Sequence, residues 1–271
     1  MNVINLLIKP ASSNCNLKCK YCFYLDIAEN RSVKSYGIMS LDTLENIIKE
    51  TFNMEPNAVV LSFQGGEPTL IGLNFYKELI KLVIKYNRKN LQVSYSIQTN
   101  GILIDSNWCK FFKDNNFLVG VSLDGNKIVH DRYRVDSNNQ GTFVRIIKNI
   151  ELLKKHKVDF NILTVVNNDL VNDIEKVYNY FCSHNLNFMQ FIPCLTPLGE
   201  NQDLTLSKEN YLIFLNKLFD LWYKDLLKGK QVSIRYFDNL IGIILGYLPQ
   251  SCDLSGTCSN NLIIESNGDI Y

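Results

Sequence analysis

Along the first 227 residues, short apolar runs rich in β-branched side chains alternate with longer stretches whose apolar positions recur every three to four residues. The short runs are VINLLIK (3–9), AVVLSF (58–63), LQVSYSI (91–97), FLVGVSL (117–123), DFNILTVV (159–166) and FMQFI (188–192). Their length and near-continuous hydrophobicity predict strands buried on both faces. Between them, LDTLENIIKETF, FYKELIKLVIKY, SNWCKFFKDN, TFVRIIKNIELLKKH and DIEKVYNYFCSH each carry one apolar stripe and read as amphipathic helices, with KENYLIFLNKLFDLWYKDLL (208–227) as a sixth. Such alternation predicts an α/β fold with a parallel sheet and right-handed crossovers. Six units are two fewer than a closed eightfold barrel requires. The expected architecture is an open six-unit (β/α) partial TIM barrel, with a flat doubly wound sheet as the alternative.

After Gly229 the pattern changes. QVSIRYFDNLIGIILGY leads into the polar, cysteine-bearing PQSCDLSGTCSNN and then LIIESNGDIY, which reads as a hairpin turning at Asn267-Gly268. The expected division is a barrel over 1–228, and over 229–271 a connecting segment with the incomplete start of a small cysteine-rich domain.

Charge narrows the partners. Lys and Arg total 28 against 27 acidic residues, a net charge of +1, so electrostatics argue for neither nucleic acid nor a membrane surface. The N-terminal apolar run is closed by Pro10, well short of the roughly 20 residues of a membrane span, and no cleavage pattern follows. A cytoplasmic protein is expected. Its eight cysteines are then reduced, buried or metal-bound rather than paired in disulfides.

Candidate chemistry gathers where strands end. QGGEPT (64–69), QTNG (98–101), the Asp124-Gly125 pair after Ser122, NND (167–169) and PCL (193–195) each follow a strand, and that edge is where parallel α/β folds bind ligands. After the first strand comes ASSNCNLKCKYCFYLD (11–26), with Cys15, Cys19 and Cys22 at C-x-x-x-C-x-x-C spacing. Three neighbouring thiols cannot pair off, and a structural zinc wants a fourth ligand that the loop lacks. The spacing is also helical, so three core thiols on one helix face is the competing reading, opposed by Asn14, Asn16, Lys18 and Lys20. Cys109 and Cys182 lie in helical stretches and read as core thiols, while His130, His156 and His184 are too scattered for a histidine metal site. Gly65 and Gly66 either turn the chain or let backbone approach a ligand. Arg134, in HDRYR, taken alone is an ordinary surface arginine. A 4Fe–4S cubane takes one outer thiolate per iron, so three cysteines would leave one iron open to an amine and a carboxylate.

The cysteine loop, with aromatic Tyr21 before its last cysteine and GGEP following, resembles the radical S-adenosylmethionine superfamily. KPASSNCNLKCKYCFY, FQGGEPTL, QTNG, SLDG and SIRYFDNL together resemble the anaerobic sulfatase-maturating enzymes over nearly the whole chain. The resemblance implies a 4Fe–4S cluster on Cys15, Cys19 and Cys22, whose open iron binds S-adenosylmethionine. It implies a 5′-deoxyadenosyl radical that takes hydrogen from the β-carbon of a cysteine or serine in a sulfatase, which becomes Cα-formylglycine. Gly65, Gly66 and Glu67 would receive the methionine amine, Ser122 and Arg134 the ribose and carboxylate, and Tyr21 and Leu195 the adenine. Family members also hold two auxiliary 4Fe–4S clusters, and Cys252 and Cys258 match the first two ligands of one. The pattern next expects PCD, whose aspartate accepts a proton from the substrate, after the hairpin. That position lies beyond Tyr271, so no catalytic residue is assigned, and a fragment is preferred over a truncated gene or a lost second stage. Expected partners are an unfolded sulfatase polypeptide with a Cys/Ser-x-Pro-x-Arg motif and an electron donor such as a ferredoxin or flavodoxin. The alternatives are another peptide-modifying radical enzyme, for example one forming thioether crosslinks, and a non-catalytic iron–sulfur-binding remnant.

Overall fold

The computed structural model describes residues 3–195, 206–256 and 261–271. All six expected strands form: β1 (Val3–Ile8), β2 (Ala58–Phe63), β3 (Gln92–Thr99), β4 (Phe117–Ser122), β5 (Phe160–Val166) and β6 (Phe188–Pro193). Each pairs in parallel with the next in sequence, starting from Val3 opposite Ala58 and ending with Val166 opposite Pro193. Across β1 to β6 the strand order never reverses, which separates this singly wound sheet from the doubly wound alternative.

Two short strands extend the sheet beyond six. β7 (Ser233–Ile234) pairs with β6, and β8 (Asn261–Ile264) pairs in parallel with β1 at the opposite edge. Both come from the segment after Gly229. At two and four residues they are too short for a periodicity to register, and each covers a sheet edge that would otherwise present unpaired backbone groups. The hairpin also forms, with Ile264 opposite Ile270, but Asn267 and Gly268 do not make a two-residue turn. The Gly268 N–H donates to the Glu265 carbonyl at 2.9 Å and Gly268 alone has positive φ (94°), a three-residue loop closed by a glycine bulge.

The outer layer comprises α1 (Phe23–Glu29), α2 (Leu41–Asn53), α3 (Leu73–Tyr86), α4 (Ser106–Asp114), α5 (Lys127–Tyr133), α6 (Phe143–Lys155), α7 (Asn168–Ser183), α8 (Lys208–Leu226), α9 (Arg235–Ile244) and α10 (Cys252–Ser255). Their apolar stripes close one continuous core over the sheet: Leu44 and Ile48 of α2, Leu79 of α3, Ile146 and Ile150 of α6, and Val177 and Phe181 of α7 lie against Leu61, Val119 and Ile162. None of the described helices is long and apolar enough to cross a membrane.

Several polar residues after strands prove to be helix caps. Asp105 accepts from the Asn107 and Trp108 N–H groups, Asn126 from Ile128 and Val129, and Asn167 from Leu170. The NND cluster is thereby accounted for, because Asn167 caps α7 and Asp169 pairs with Arg132 and the Tyr133 hydroxyl. Of the two cysteines assigned to an auxiliary cluster, Cys258 lies outside the described residues, and for Cys252 only the backbone, at the start of α10, lies within them.

Candidate active site

Residues 9–22 are not helical, so the reading of three core thiols on one helix face fails. The loop is pinned along both sides by backbone. Lys18 and Lys20 donate to the carbonyls of Val135 and Tyr133 at 2.8 and 3.0 Å, and Leu17 bridges Asp136. On the other side, the Asn14 carbonyl accepts the Glu67 N–H at 2.8 Å. Cys22 then stands at the N-cap position of α1, a helix of two turns that periodicity is too short to detect, and its carbonyl accepts the Asp26 N–H at 3.1 Å.

The loop and the carboxyl ends of β2, β3, β4 and β6 enclose a cavity of about 350 Å³. It is lined by Cys15, Cys19 and Cys22 together with Tyr21, Gly65, Gly66, Glu67, Ser122, Arg134 and Leu195. Every site residue predicted before Gly229 therefore meets in one place. Tyr24, Gln64, Asn100 and Cys194 line it too, without having been singled out. Asn100 lay within QTNG, and its position at a strand end was the available signal.

The two glycines serve loop packing. Gly66 has φ +53°, and a Cβ there would lie 2.2 Å from the Asn14 carbonyl oxygen. Only glycine lets the GGEP turn close against the cysteine loop. Glu67, expected with the glycines to receive an amine through the backbone, has a side chain that holds the loop together. Its buried carboxylate accepts from Thr69 N–H and hydroxyl, the Thr99 hydroxyl and the Asn100 N–H, and its own N–H is taken by Asn14. Burial raises the Glu67 carboxyl, against the hydrogen bonds that favour the anion. The residue acts as a buckle between the ends of β2 and β3.

The thiols are soft donors, and Cys15 is held by two protein N–H groups. The Leu17 N–H donates to Cys15 Sγ at 3.4 Å, and Asn100 Nδ2 at 3.7 Å. Loss of hydration pushes the Cys15 thiol up to about 12 and raises Cys19, the latter partly offset by the Arg134 charge. Among the described residues no three His, Cys, Asp or Glu side chains gather around a single ion. A cluster does not require that convergence, since each thiolate serves its own iron.

Arg134 is buried, unlike the surface arginine its sequence context suggested. Its Nη1 donates to the Tyr21 hydroxyl at 2.9 Å, and its Nε finds no hydrogen-bond partner among the described residues. Tyr21 in turn donates to Asp124, whose other oxygen accepts the Val165 N–H at 3.0 Å. His130, held neutral by burial and by the Arg134 charge, fixes the frame. Its Nδ1 accepts the Asp124 N–H, so the ring proton sits on Nε2, facing Thr142 Oγ1, and Thr142 donates to the Arg134 carbonyl. The donor set thus fits a three-thiolate cluster beside an anionic group: soft sulfur ligands, and a buried arginine lining the same cavity.

These features define a radical S-adenosylmethionine protein, and the profile of the Radical SAM superfamily matches residues 10–181. The chain is 53% identical to the cysteine-type anaerobic sulfatase-maturating enzyme of Clostridium novyi, over its whole length and 73% of that protein. It is 34% identical to a serine-type counterpart from Bacteroides thetaiotaomicron, over 98% of this chain and 68% of the relative. The solved structure of native anSMEcpe with bound AdoMet and Cp18Cys peptide superposes with a TM-score of 0.93 at 47% identity, covering 99% of this chain and 73% of that one. Within the superfamily, the chain belongs to the anaerobic sulfatase-maturating enzymes.

Proposed function

We propose that this chain oxidises a cysteine of an unfolded sulfatase segment to Cα-formylglycine, starting from the cavity at the carboxyl edge of the sheet. The observation that carries the reading is the meeting of Cys15, Cys19 and Cys22 with the Arg134 guanidinium in one cavity. When bound, a 4Fe–4S cluster and S-adenosylmethionine supply one-electron cleavage of a sulfonium and a carbon radical that removes hydrogen from the substrate's β-carbon. The three cysteines hold the cluster. Arg134 offers a fixed fork to the methionine carboxylate, and Gly65 and Gly66 keep the backbone close to the amine. Ser122 faces the ribose, while backbone at Tyr21 and Leu195 borders the adenine. Apolar Leu163, Val165 and Ile192 on the cavity wall exclude water from the radical's path.

Cysteine rather than serine is favoured as the target because identity to the cysteine-type relative is 53% against 34% for the serine-type one. The peptide class is Cys-x-Pro-x-Arg, and the reductant a ferredoxin or flavodoxin of the cytoplasm. Auxiliary clusters, with Cys252 and Cys258 as ligands, complete the expected cofactor set.

The test uses anaerobically reconstituted protein with S-adenosylmethionine, dithionite and a Cys-x-Pro-x-Arg peptide, followed by mass spectrometry. Deoxyadenosine together with formylglycine in the peptide is the expected result. Deoxyadenosine alone would restrict this chain to the first half of the chemistry. Neither product, in protein that holds iron, would favour a remnant. Cys15→Ala, Cys19→Ala or Cys22→Ala should each abolish deoxyadenosine formation.

A further inference from the structure

Tyr21 stands between two buried charges of opposite sign. Its hydroxyl accepts from Arg134 Nη1 at 2.9 Å and donates to Asp124 Oδ2, and no direct ion pair joins Arg134 to Asp124. A buried cation and anion attract strongly at low dielectric and close on each other unless something holds them apart. The hydroxyl does so, bonded to both. Asp124 is fixed on its far side by the Val165 N–H, and the Arg134 backbone by Thr142 and by its own N–H to the His130 carbonyl. With both ends anchored, the bridge sets the guanidinium's direction.

We infer that the Tyr21 hydroxyl is a positioning group, holding Arg134 off Asp124 so that its guanidinium stays in the cavity wall, facing the carboxylate of S-adenosylmethionine. The inference rests on the cofactor reading proposed above. It assigns the Tyr21 side chain a task separate from any backbone contact with adenine, and it gives Asp124 the part of a competitor for Arg134. The two partners then make opposite predictions. Without the hydroxyl, Arg134 collapses onto Asp124 and the ligand loses its clamp. Without the Asp124 charge, the ligand carboxylate becomes the counter-ion of Arg134 and binds more tightly.

The experiment measures binding to the anaerobic, cluster-loaded, unreduced protein, so that no turnover occurs. The ligands are S-adenosylmethionine and 5′-methylthioadenosine, which lacks the amino-acid part. Tyr21→Phe should weaken S-adenosylmethionine about tenfold, as expected for one hydrogen bond to a charged group, and leave methylthioadenosine within about twofold. Asp124→Asn should tighten S-adenosylmethionine about threefold, again without moving methylthioadenosine. A merely structural role would weaken both variants, or shift both ligands alike, and either result overturns the inference. Where Tyr21→Phe fails to hold iron, Asp124→Asn decides, since unchanged or weaker binding there also overturns it. Failure of the unsubstituted protein to bind S-adenosylmethionine would instead overturn the cofactor reading itself.

Discussion

Gly65 and Gly66 are adjacent, both with positive φ, yet they answer to different neighbours. A Cβ on Gly66 would meet the Asn14 carbonyl oxygen at 2.2 Å, a backbone atom of the cysteine loop that cannot step aside. A Cβ on Gly65 would meet Lys9 Cγ at 2.7 Å and Cε at 2.8 Å, side-chain atoms rather than backbone. Strained backbone alone costs roughly 1–3 kcal/mol at either position. Gly66→Ala should therefore lose more stability in a urea melt and most of its iron, whereas Gly65→Ala should retain iron. Similar iron content in the two variants would contradict the assignment. GGEP was legible as a site, but what each glycine does was not. That depends on which surface the turn meets, and the Asn14 carbonyl lies more than fifty residues away in sequence. Arg134 and Asp124 were opaque for the same reason, since burial is set by neighbours that local context does not name.

Among the elements, the hairpin of residues 262–271 is tied to the barrel by a buried carboxylate. Glu265 accepts from Lys9 Nζ at 2.6 Å and Arg31 Nη1 at 3.1 Å. Burial alone would raise its carboxyl, but hydrogen bonds from Lys9, the Ser266 N–H and Ser12, with the Lys9 charge, hold it below the ordinary 4.5. A depressed pKa means that the folded state binds this proton less readily than the unfolded one. The stabilisation is present above pH 4.5 and is lost as pH falls through the lowered value. Glu265→Gln should cost about 3–5 kcal/mol at neutral pH, the usual penalty for stranding buried partners, and should flatten the acid limb of a stability–pH curve. An unaltered acid limb in the variant would exclude Glu265 as its source. Strands and long helices were legible because β1 to β6 are short, nearly continuous apolar runs and α2, α3, α6 and α8 carry strong helical periodicity. The seven-residue α1 and α5 were not, having only two turns each, nor were β7 and β8, whose pairing is decided by exposed sheet edges.

In the whole molecule, the apolar core and the cavity occupy different places. The core lies between the sheet and helices such as α2, α3, α6 and α7, while the thiols sit on a loop beyond the strand ends. Ligands stabilise the regions that bind them, and local opening is not shared uniformly through a fold. Chelating the iron should raise hydrogen exchange over residues 10–36 and leave the central amides of β2 to β5 protected. Equal loss of protection in those strands would mean that the cluster supports the core. The partial barrel was legible from the alternation of strand and helix, and its open sequential order from having six units rather than eight. What sequence could not supply was the contact of the GGEP turn with the cysteine loop, where one carbonyl oxygen is gripped by the Glu67 N–H and abuts Gly66. For geneticists this contact has a practical meaning. In a screen for iron incorporation, lesions at Gly66 would cluster with those at Cys15, Cys19 and Cys22, and a residue that donates nothing to iron would be scored as one of its ligands.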